Sequence, residues 1–419
     1  MKRVIGKINP KDRHVTIWGA GFSGLILGYY LKDMGYRITI YERSNKVGGK
    51  LGTKKVSGSY VEKAANALFL NADSLELLKE LKLEPLPASK KLKRLLMFHG
   101  KPKKPFQIGV LTRISMNAHK KPPLITDGLT VAEFFRPLLG DDYIDRFLSP
   151  VLAGIYATPA EQLHFKSIFE DFGNMAQFDS YWNFIKIMYR SNKAKPKTEL
   201  SGSVSFEGGM QTLINRLAEI LKSEIKLNYK EPFRMKGNTI ICTDAITAGD
   251  LLKELRPELS VELKRVRYQE LSSATVFLKR DIKSLQKSFG VLIPFESGFH
   301  SIGVINNKAI FPTNSQNVSS YTFISRKKLG LEEIQEDLKL LSSDITPEDI
   351  DHSEISHWDN GLPVYDLQRY LSVKKLHQLA AKEEHLAIFG NFAAGISLRE
   401  MITAAKNFVV NPDQYPDIY

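Results

Sequence analysis

The stretch "HVTIWGAGFSGLILGYYLKDMGYRITIYER", His14–Arg43, decides how the rest of the chain is read. Val15, Ile17 and Trp18 predict a short apolar strand. Gly19, Gly21 and Gly24 follow at GxGxxG spacing, and "FSGLILGYYLKDM" predicts a helix that Gly35 closes at its C-terminal end. A second, β-branched strand, "RITIY", ends at Glu42. Each part has a physical task. Gly19 allows a tight turn, Gly21 lets the backbone approach a pyrophosphate, and Gly24 lets the helix pack against the strand. The helix start at Phe22 and Ser23 offers free N–H groups and the positive dipole end to phosphate. Glu42, with Arg43 beside it, can accept hydrogen bonds from a ribose diol. Glycines alone are weak evidence, because tight turns use them anyway. Strand, glycines, helix, strand and acid in this order predict a Rossmann-type dinucleotide site.

The chain has 419 residues, 43% of them hydrophobic, which favours two domains. No apolar run approaches the ~20 residues that span a bilayer. The opening "MKRVIGKINPKDRHVT" lacks the apolar core of a signal peptide. A single cysteine, Cys242, excludes an internal disulfide and cysteine-rich metal sites, and a reducing cytoplasm is the simplest location. The nine histidines show no metal-ligand spacing, so no metal is expected, and no Ser-His-Asp or Cys-His arrangement is recognisable. The net charge of +13 reads either as a solvated lysine-rich surface or as attraction to an anionic membrane or acidic substrate. Its densest run is "SKKLKRLLMFHGKPKKP", Ser89–Pro105. No nucleic-acid motif accompanies it, so no nucleic-acid partner is expected.

A glycine pair, Gly48–Gly49, follows the acid in "SNKVGGKLGT", with Lys50 and Thr53 behind it. Near the other end, "GNFAAGISLREMITAAKNF", Gly390–Phe408, is a second glycine-bounded turn running into a helix. Here the chain resembles the FAD-binding superfamily of monoamine oxidases, phytoene desaturases and protoporphyrinogen oxidases. The resemblance implies FAD as cofactor, with a "GG-Arg-x-x-Thr" stretch along its pyrophosphate; Lys50 stands at the arginine and keeps the charge without the fork. It implies that Gly390, Asn391, Gly395, Ile396 and Ser397 meet the flavin, with a helix opening near Gly395 aimed at the pyrimidine edge. Thr243 and Asp244 would skirt the cofactor.

The expected fold is α/β: a discontinuous Rossmann-type FAD domain, about 1–75, 200–260 and 375–419, with a mixed α+β substrate domain, 76–199 and 261–374. The first substrate segment reads as mostly helical after a basic hairpin. The second reads as strand-rich through "SSATVFL", "FGVLIPF", "SIGVI" and "SSYTFIS".

Within the superfamily the resemblance is closest to protoporphyrinogen oxidases and covers nearly the whole chain. "KRLLMFHGKPKKPF" resembles that family's substrate-side hairpin, "LSPVLAGIYATPAEQLHF" its "SGVYAGDP" stretch, and "FEGGMQTLINRL" its "GG-Met/Leu-Gln-x-Leu" turn. On this basis Arg94, Gly154 and Tyr156 carry over as substrate-binding residues; Arg94 also reads as a plain surface arginine. The chain departs from the family at Ala64 and Ala65, where glycine is usual, and at Gln368–Arg369, where "Gly-His" is usual. The implied activity is FAD-dependent oxidation of an apolar, acidic small molecule in porphyrin biosynthesis, by hydride transfer, with oxygen a candidate acceptor. Amine or carotenoid oxidation, and flavin binding without turnover, are the alternatives. Phe389, Asn391 and Phe392 replace the residues of an amine oxidase's "Gly-Glu" stretch and count against an amine. The aromatic run Ser167–Tyr189 reads as core or as a membrane-facing mouth; the latter would put the protein peripherally on the inner face of a membrane.

Overall fold

A computed structural model describes residues 3–172, 175, 177–194, 202–315 and 318–412. Gly173, Asn174 and Ala176 of the aromatic run, and the expected boundary at 199–200, lie outside the described residues.

The opening motif forms as its residue order predicts. His14–Trp18 is a strand, Phe22–Asp33 a helix and Arg37–Tyr41 the next strand. Four residues of the first strand are buried because it lies inside a six-stranded sheet with covered faces. The order across that sheet is Ile5–Gly6, Leu386–Ile388, Asn238–Ile241, His14–Trp18, Arg37–Tyr41 and Ile225–Lys226. All neighbours run parallel except the first pair. Segments from both ends and the middle of the chain thus share one sheet. The helix Phe22–Asp33 buries Leu25, Ile26, Leu27 and Leu31 in a core shared with Leu213 and Leu217 of helix Gln211–Ile220 and Ile402 and Phe408 of helix Leu398–Val410.

A second sheet of seven strands runs Ile350–Pro363, Tyr268–Leu278, Ser319–Ser325, Gly303–Asn306, Ser288–Leu292, Lys93–Phe98 and Lys101–Lys103. It is antiparallel apart from the Ser288–Leu292 and Lys93–Phe98 pair. One face packs Val276, Val304 and Phe323 against Ile334 and Leu338 of helix Leu331–Leu341. The other face is left to a cavity. The strand Ile350–Pro363, "IDHSEISHWDNGLP", has no counterpart among the strands expected from sequence. It is a polar, half-exposed edge strand, which carries little of the apolar alternation that announces a strand.

Helices 110–194 enclose an aromatic core. Phe134 and Phe165 lie 4.2 Å apart between ring centroids, and Phe178 and Phe184 5.1 Å. Phe172, Phe178, Tyr181 and Phe184 of the aromatic run are therefore core, whereas Trp182 and Tyr189 are exposed.

Candidate active site

A cavity of about 1340 Å³ runs between the two sheets. Its walls include Trp18, Gly19, Gly21, Phe22 and Ser23 at one end and Arg94, Gly154, Phe289 and Val304 at the other.

The first glycine turn is closed by backbone contact. Gly19 has φ +106°, and a Cβ there would stand 2.7 Å from the Cys242 carbonyl oxygen. A Cβ on Gly24 would stand 1.9 Å from the Gly19 oxygen, so only glycine lets this helix start so close to its strand. Gly24 acts from behind the turn and does not line the cavity. The helix start has no side-chain cap and no acid in its first turn. Its free N–H groups face the cavity wall formed by Phe22 and Ser23.

The second glycine loop folds onto the first. Gly21 bridges to Gly48, the Gly48 amide donates to the Ala20 carbonyl at 2.9 Å, and a Cβ on Gly49 would stand 3.2 Å from Gly21 Cα. Glu42 and Arg43 line the cavity beyond this cradle. The Glu42 carboxylate accepts from the Ala20 amide at 2.9 Å and the Ser44 amide at 2.8 Å, which fixes its position and leaves lone pairs for a ligand. Trp18, 8% exposed, lines the same end, and its indole Nε1 has no hydrogen-bond partner among the described residues.

Lys50 lines the cavity but does not hold its charge free. Its ammonium donates to the carbonyls of Asn360 and Gly361, the latter at 3.0 Å. Burial pushes its pKa below the ordinary lysine value, against the pull of Asp244. Thr243 lines the cavity between Gly19 and Gly390, and Asp244 caps the helix Ala245–Leu252 through the Thr247 amide at 3.0 Å. Cys242 is buried, and desolvation raises its pKa, which keeps the thiol protonated and inert.

At the C-terminal end the helix expected to open near Gly395 begins at Leu398, and its first turn lines the cavity through Leu398 and Met401. A short helix, Asn391–Ala394, stops at Gly395, where φ is +108°, and the long helix Leu398–Val410 begins after Ser397. Gly390, Asn391 and Ile396 line the cavity, while Gly395 and Ser397 do not. A Cβ on Gly395 would meet Arg3 and Glu400 at 2.8 and 2.7 Å, and Ser397 spends its hydroxyl on a capping box with Glu400. Two residues that were not read as functional hold this turn. The Tyr365 hydroxyl donates to the Asn391 carbonyl at 2.6 Å, and the buried Arg369 donates through Nε to the Phe392 carbonyl at 2.7 Å. Arg369 stands where the resemblance led to histidine, so the departure itself was the available signal. Phe389 and Phe392 are fully buried and form no cage on the cavity.

On the substrate side, Arg94 is exposed to the cavity with its guanidinium 5.9 Å from the Phe289 ring centroid, and it makes no ion pair among the described residues. Gly154 lines the cavity and lets the helix Ser149–Tyr156 close on Leu292, which a Cβ would meet at 2.9 Å. Tyr156 is corrected: it does not line the cavity and packs 5.5 Å from Tyr365 instead. No cluster of metal-ligating side chains occurs among the described residues.

A parallel sheet whose glycine turns converge on one long cavity, closed by a second sheet, defines the class: an α/β dinucleotide-binding oxidoreductase fold. The chain matches the model of the flavin containing amine oxidoreductases over residues 22–231, half its length, and belongs to that family. It is 27% identical to protoporphyrinogen oxidase 2 of Arabidopsis thaliana, over 94% of this chain and 92% of that one. It is likewise 27% identical to coproporphyrinogen III oxidase of Staphylococcus aureus, over 51% of this chain and 52% of that one. A crystal structure from Exiguobacterium sp. 255-15 shares the fold, with a TM-score of 0.74, 16% identity, and coverage of 98% of this chain and 100% of that one. The chain is a protoporphyrinogen oxidase-like flavin oxidoreductase with FAD as its cofactor. Its residues fit that group: the glycine cradle suits a pyrophosphate, the placed Glu42 suits a ribose, and the unpartnered Trp18 indole offers one more donor at the same end.

Proposed function

We propose that the chain oxidises a porphyrinogen, an apolar macrocycle with carboxylate side chains, in porphyrin biosynthesis. The observation that carries this is a cavity that joins the glycine cradle to an apolar wall of Leu96, Leu292, Ile302 and Ile324, with Arg94, which makes no ion pair among the described residues, beside it. FAD, when bound, supplies a two-electron acceptor for hydride. The chain's own residues bind, orient and dry the site. Gly19, Gly21 and Gly49 admit the pyrophosphate, and Gly390, Asn391 and Ile396 form the wall beside the flavin. Arg94 takes a carboxylate, which turns the macrocycle's apolar body toward the strands. The apolar wall keeps water from the reacting carbon. Oxygen is the proposed electron acceptor.

The same reading divides the chain into an FAD domain, about 1–75, 200–260 and 375–419, and a substrate domain of the remainder. Phe106, Leu111 and Met116 are exposed on the substrate-side segment that also carries Lys101, Lys103 and Lys104, with Lys104 over the Phe106 ring, and Trp182 and Tyr189 are exposed on a later substrate-side helix. Apolar side chains beside lysines suit peripheral contact with an anionic membrane. No helix among the described residues is long and apolar enough to cross one.

The test is to mix the purified holoprotein with protoporphyrinogen IX. Without oxygen, the flavin absorbance should bleach; with oxygen, porphyrin fluorescence should grow over many turnovers. A yellow protein that neither bleaches nor turns over with porphyrinogens, but bleaches with an amine or a carotenoid, overturns the substrate.

A further inference from the structure

A second, smaller space adjoins the substrate end of the cavity. Its volume is about 40 Å³, room for roughly three waters. Asn66, Ala67, Phe289 and Ile305 line both this pocket and the cavity. Phe289 is the ring 5.9 Å from the Arg94 guanidinium, and Ile305 stands level with Arg94 across Gly290, so the shared wall lies at the substrate end. Two polar groups face into the pocket. Asn314, 7% exposed, donates through Nδ2 to the Phe206 carbonyl at 2.9 Å, which fixes the direction of its amide. Its Oδ1 is buried with no hydrogen-bond partner among the described residues. A buried amide oxygen without a donor is costly, and water is the donor that fits a space of this size. Glu62 lines the same pocket and keeps free lone pairs after accepting from Thr53 and the Met210 amide.

Glu62 does not reach the cavity itself. Asn66 lines both spaces, and its side-chain amide makes no hydrogen bond among the described residues, so it can pass a polar contact from one to the other. Oxidation of a porphyrinogen needs such a path, because each hydride is matched by a proton. When a methylene-bridge C–H bond gives its electron pair to FAD as hydride, the positive charge left behind is shared with the adjoining pyrrole. The pyrrole N–H bond then breaks, its electron pair stays on the ring, and the proton needs a base. We propose that this pocket is a hydrated proton-accepting site, in which waters held by Asn314 carry the substrate's pyrrole proton past Asn66 to Glu62. This rests on the porphyrinogen reading above and adds the base to it. Burial brings the Glu62 pKa to about 7, which suits a group that accepts a proton near neutrality and gives it up again. No charged side chain among the described residues acts on it. Of its ionisable neighbours, Lys54 is paired with Glu354, Lys55 lies over the Tyr60 ring, Lys63 lines the cavity and Glu207 is exposed. Tyr60 is the pocket's other titratable wall residue.

The test follows anaerobic bleaching of the holoprotein by protoporphyrinogen IX across pH, for the parent, Glu62→Gln and Asn314→Leu, with FAD content as the control for folding. The parent's rate should rise as pH climbs through about 7, because only the carboxylate can accept a proton. Glu62→Gln keeps the shape and cannot titrate, so it should lose that rise and bleach about a hundred-fold more slowly. Asn314→Leu should keep the rise and slow bleaching about two- to ten-fold, the worth of one hydrogen bond to water. A crystal structure of the parent holoprotein should show ordered water on Asn314 Oδ1. A Glu62→Gln protein with full FAD that keeps the parent's rate, or its rise through pH 7, overturns the inference. So does an Asn314→Leu protein as fast as the parent, or a dry pocket. In each of these cases bleaching of the parent leaves the porphyrinogen reading standing; a parent that never bleaches with protoporphyrinogen IX overturns both.

Discussion

Glu62 is the acid to perturb first, because it clasps the cofactor loop from beneath. Its Oε2 accepts from Thr53 Oγ1 at 2.7 Å and its Oε1 from the Met210 amide at 2.9 Å. Thr53 Oγ1 in turn accepts from the Gln211 amide at 2.9 Å. One carboxylate thus ties the segment after Gly48–Gly49 to the start of helix Gln211–Ile220. Part of the residue reaches the surface, but the carboxylate is turned inward, and burial raises its pKa from 4.5 to about 7 against the two hydrogen bonds that lower it. Between these values the folded protein keeps a proton that the unfolded chain has released. Stability from this group is therefore complete below pH 4.5, falls as pH rises through 7, and is level above it. At about 1.4 kcal/mol per pH unit the interval is worth about 3 kcal/mol. Glu62→Gln resembles the protonated acid in shape and cannot titrate. Relative to the parent, the Gln variant should be nearly equal at pH 4.5 and gain about 3 kcal/mol by pH 8. Denaturant unfolding of both holoproteins across this range, with FAD release as a second probe, measures the difference. A difference that stays constant with pH would refute the clasp as a titrating element.

Trp18→Phe keeps the ring packing and removes the unpartnered indole donor, so FAD affinity of the apoprotein should fall about two- to ten-fold in a fluorescence titration, the worth of one neutral hydrogen bond; unchanged affinity would leave the indole without a ligand role. Lys50→Ala should lower FAD retention by the same factor at low and high salt, because its ammonium is buried on the Asn360 and Gly361 carbonyls and salt screens exposed charge. Loss that steepens with salt would return Lys50 to the pyrophosphate. Arg94→Ala should raise the Michaelis constant for protoporphyrinogen about ten- to a hundred-fold and leave FAD content intact, with a smaller effect on the esterified substrate. Equal kinetics for the free acid would place Arg94 outside substrate binding.

The cofactor end was legible because its determinants are local. From Val15 to Glu42 the order of strand, glycines, helix and acid is itself the structure, and steric demands act between near neighbours: the Gly24 Cβ would strike the oxygen of Gly19. Long amphipathic or apolar runs such as "SSYTFIS" were equally readable, since burial on one face or both writes the period into the residues. The strand Ile350–Pro363 was not, because most of its stability as an edge comes from backbone bonds to Tyr268–Leu278, which any side chain permits. Direction was the other missing quantity. Gly395 and Tyr156 lie in the right segments and face away from the cavity, and Lys50 is claimed by carbonyls about 310 positions further along the chain. Arg94 meets the cavity only because its strand pairs with Ser288–Leu292, nearly 200 positions further along the chain. Sequence by itself determined the fold and the cofactor, whose contacts are made by short-range turns of glycine; tertiary structure alone decided which cations remain free, because pairing depends on where long-range packing leaves each side chain pointing.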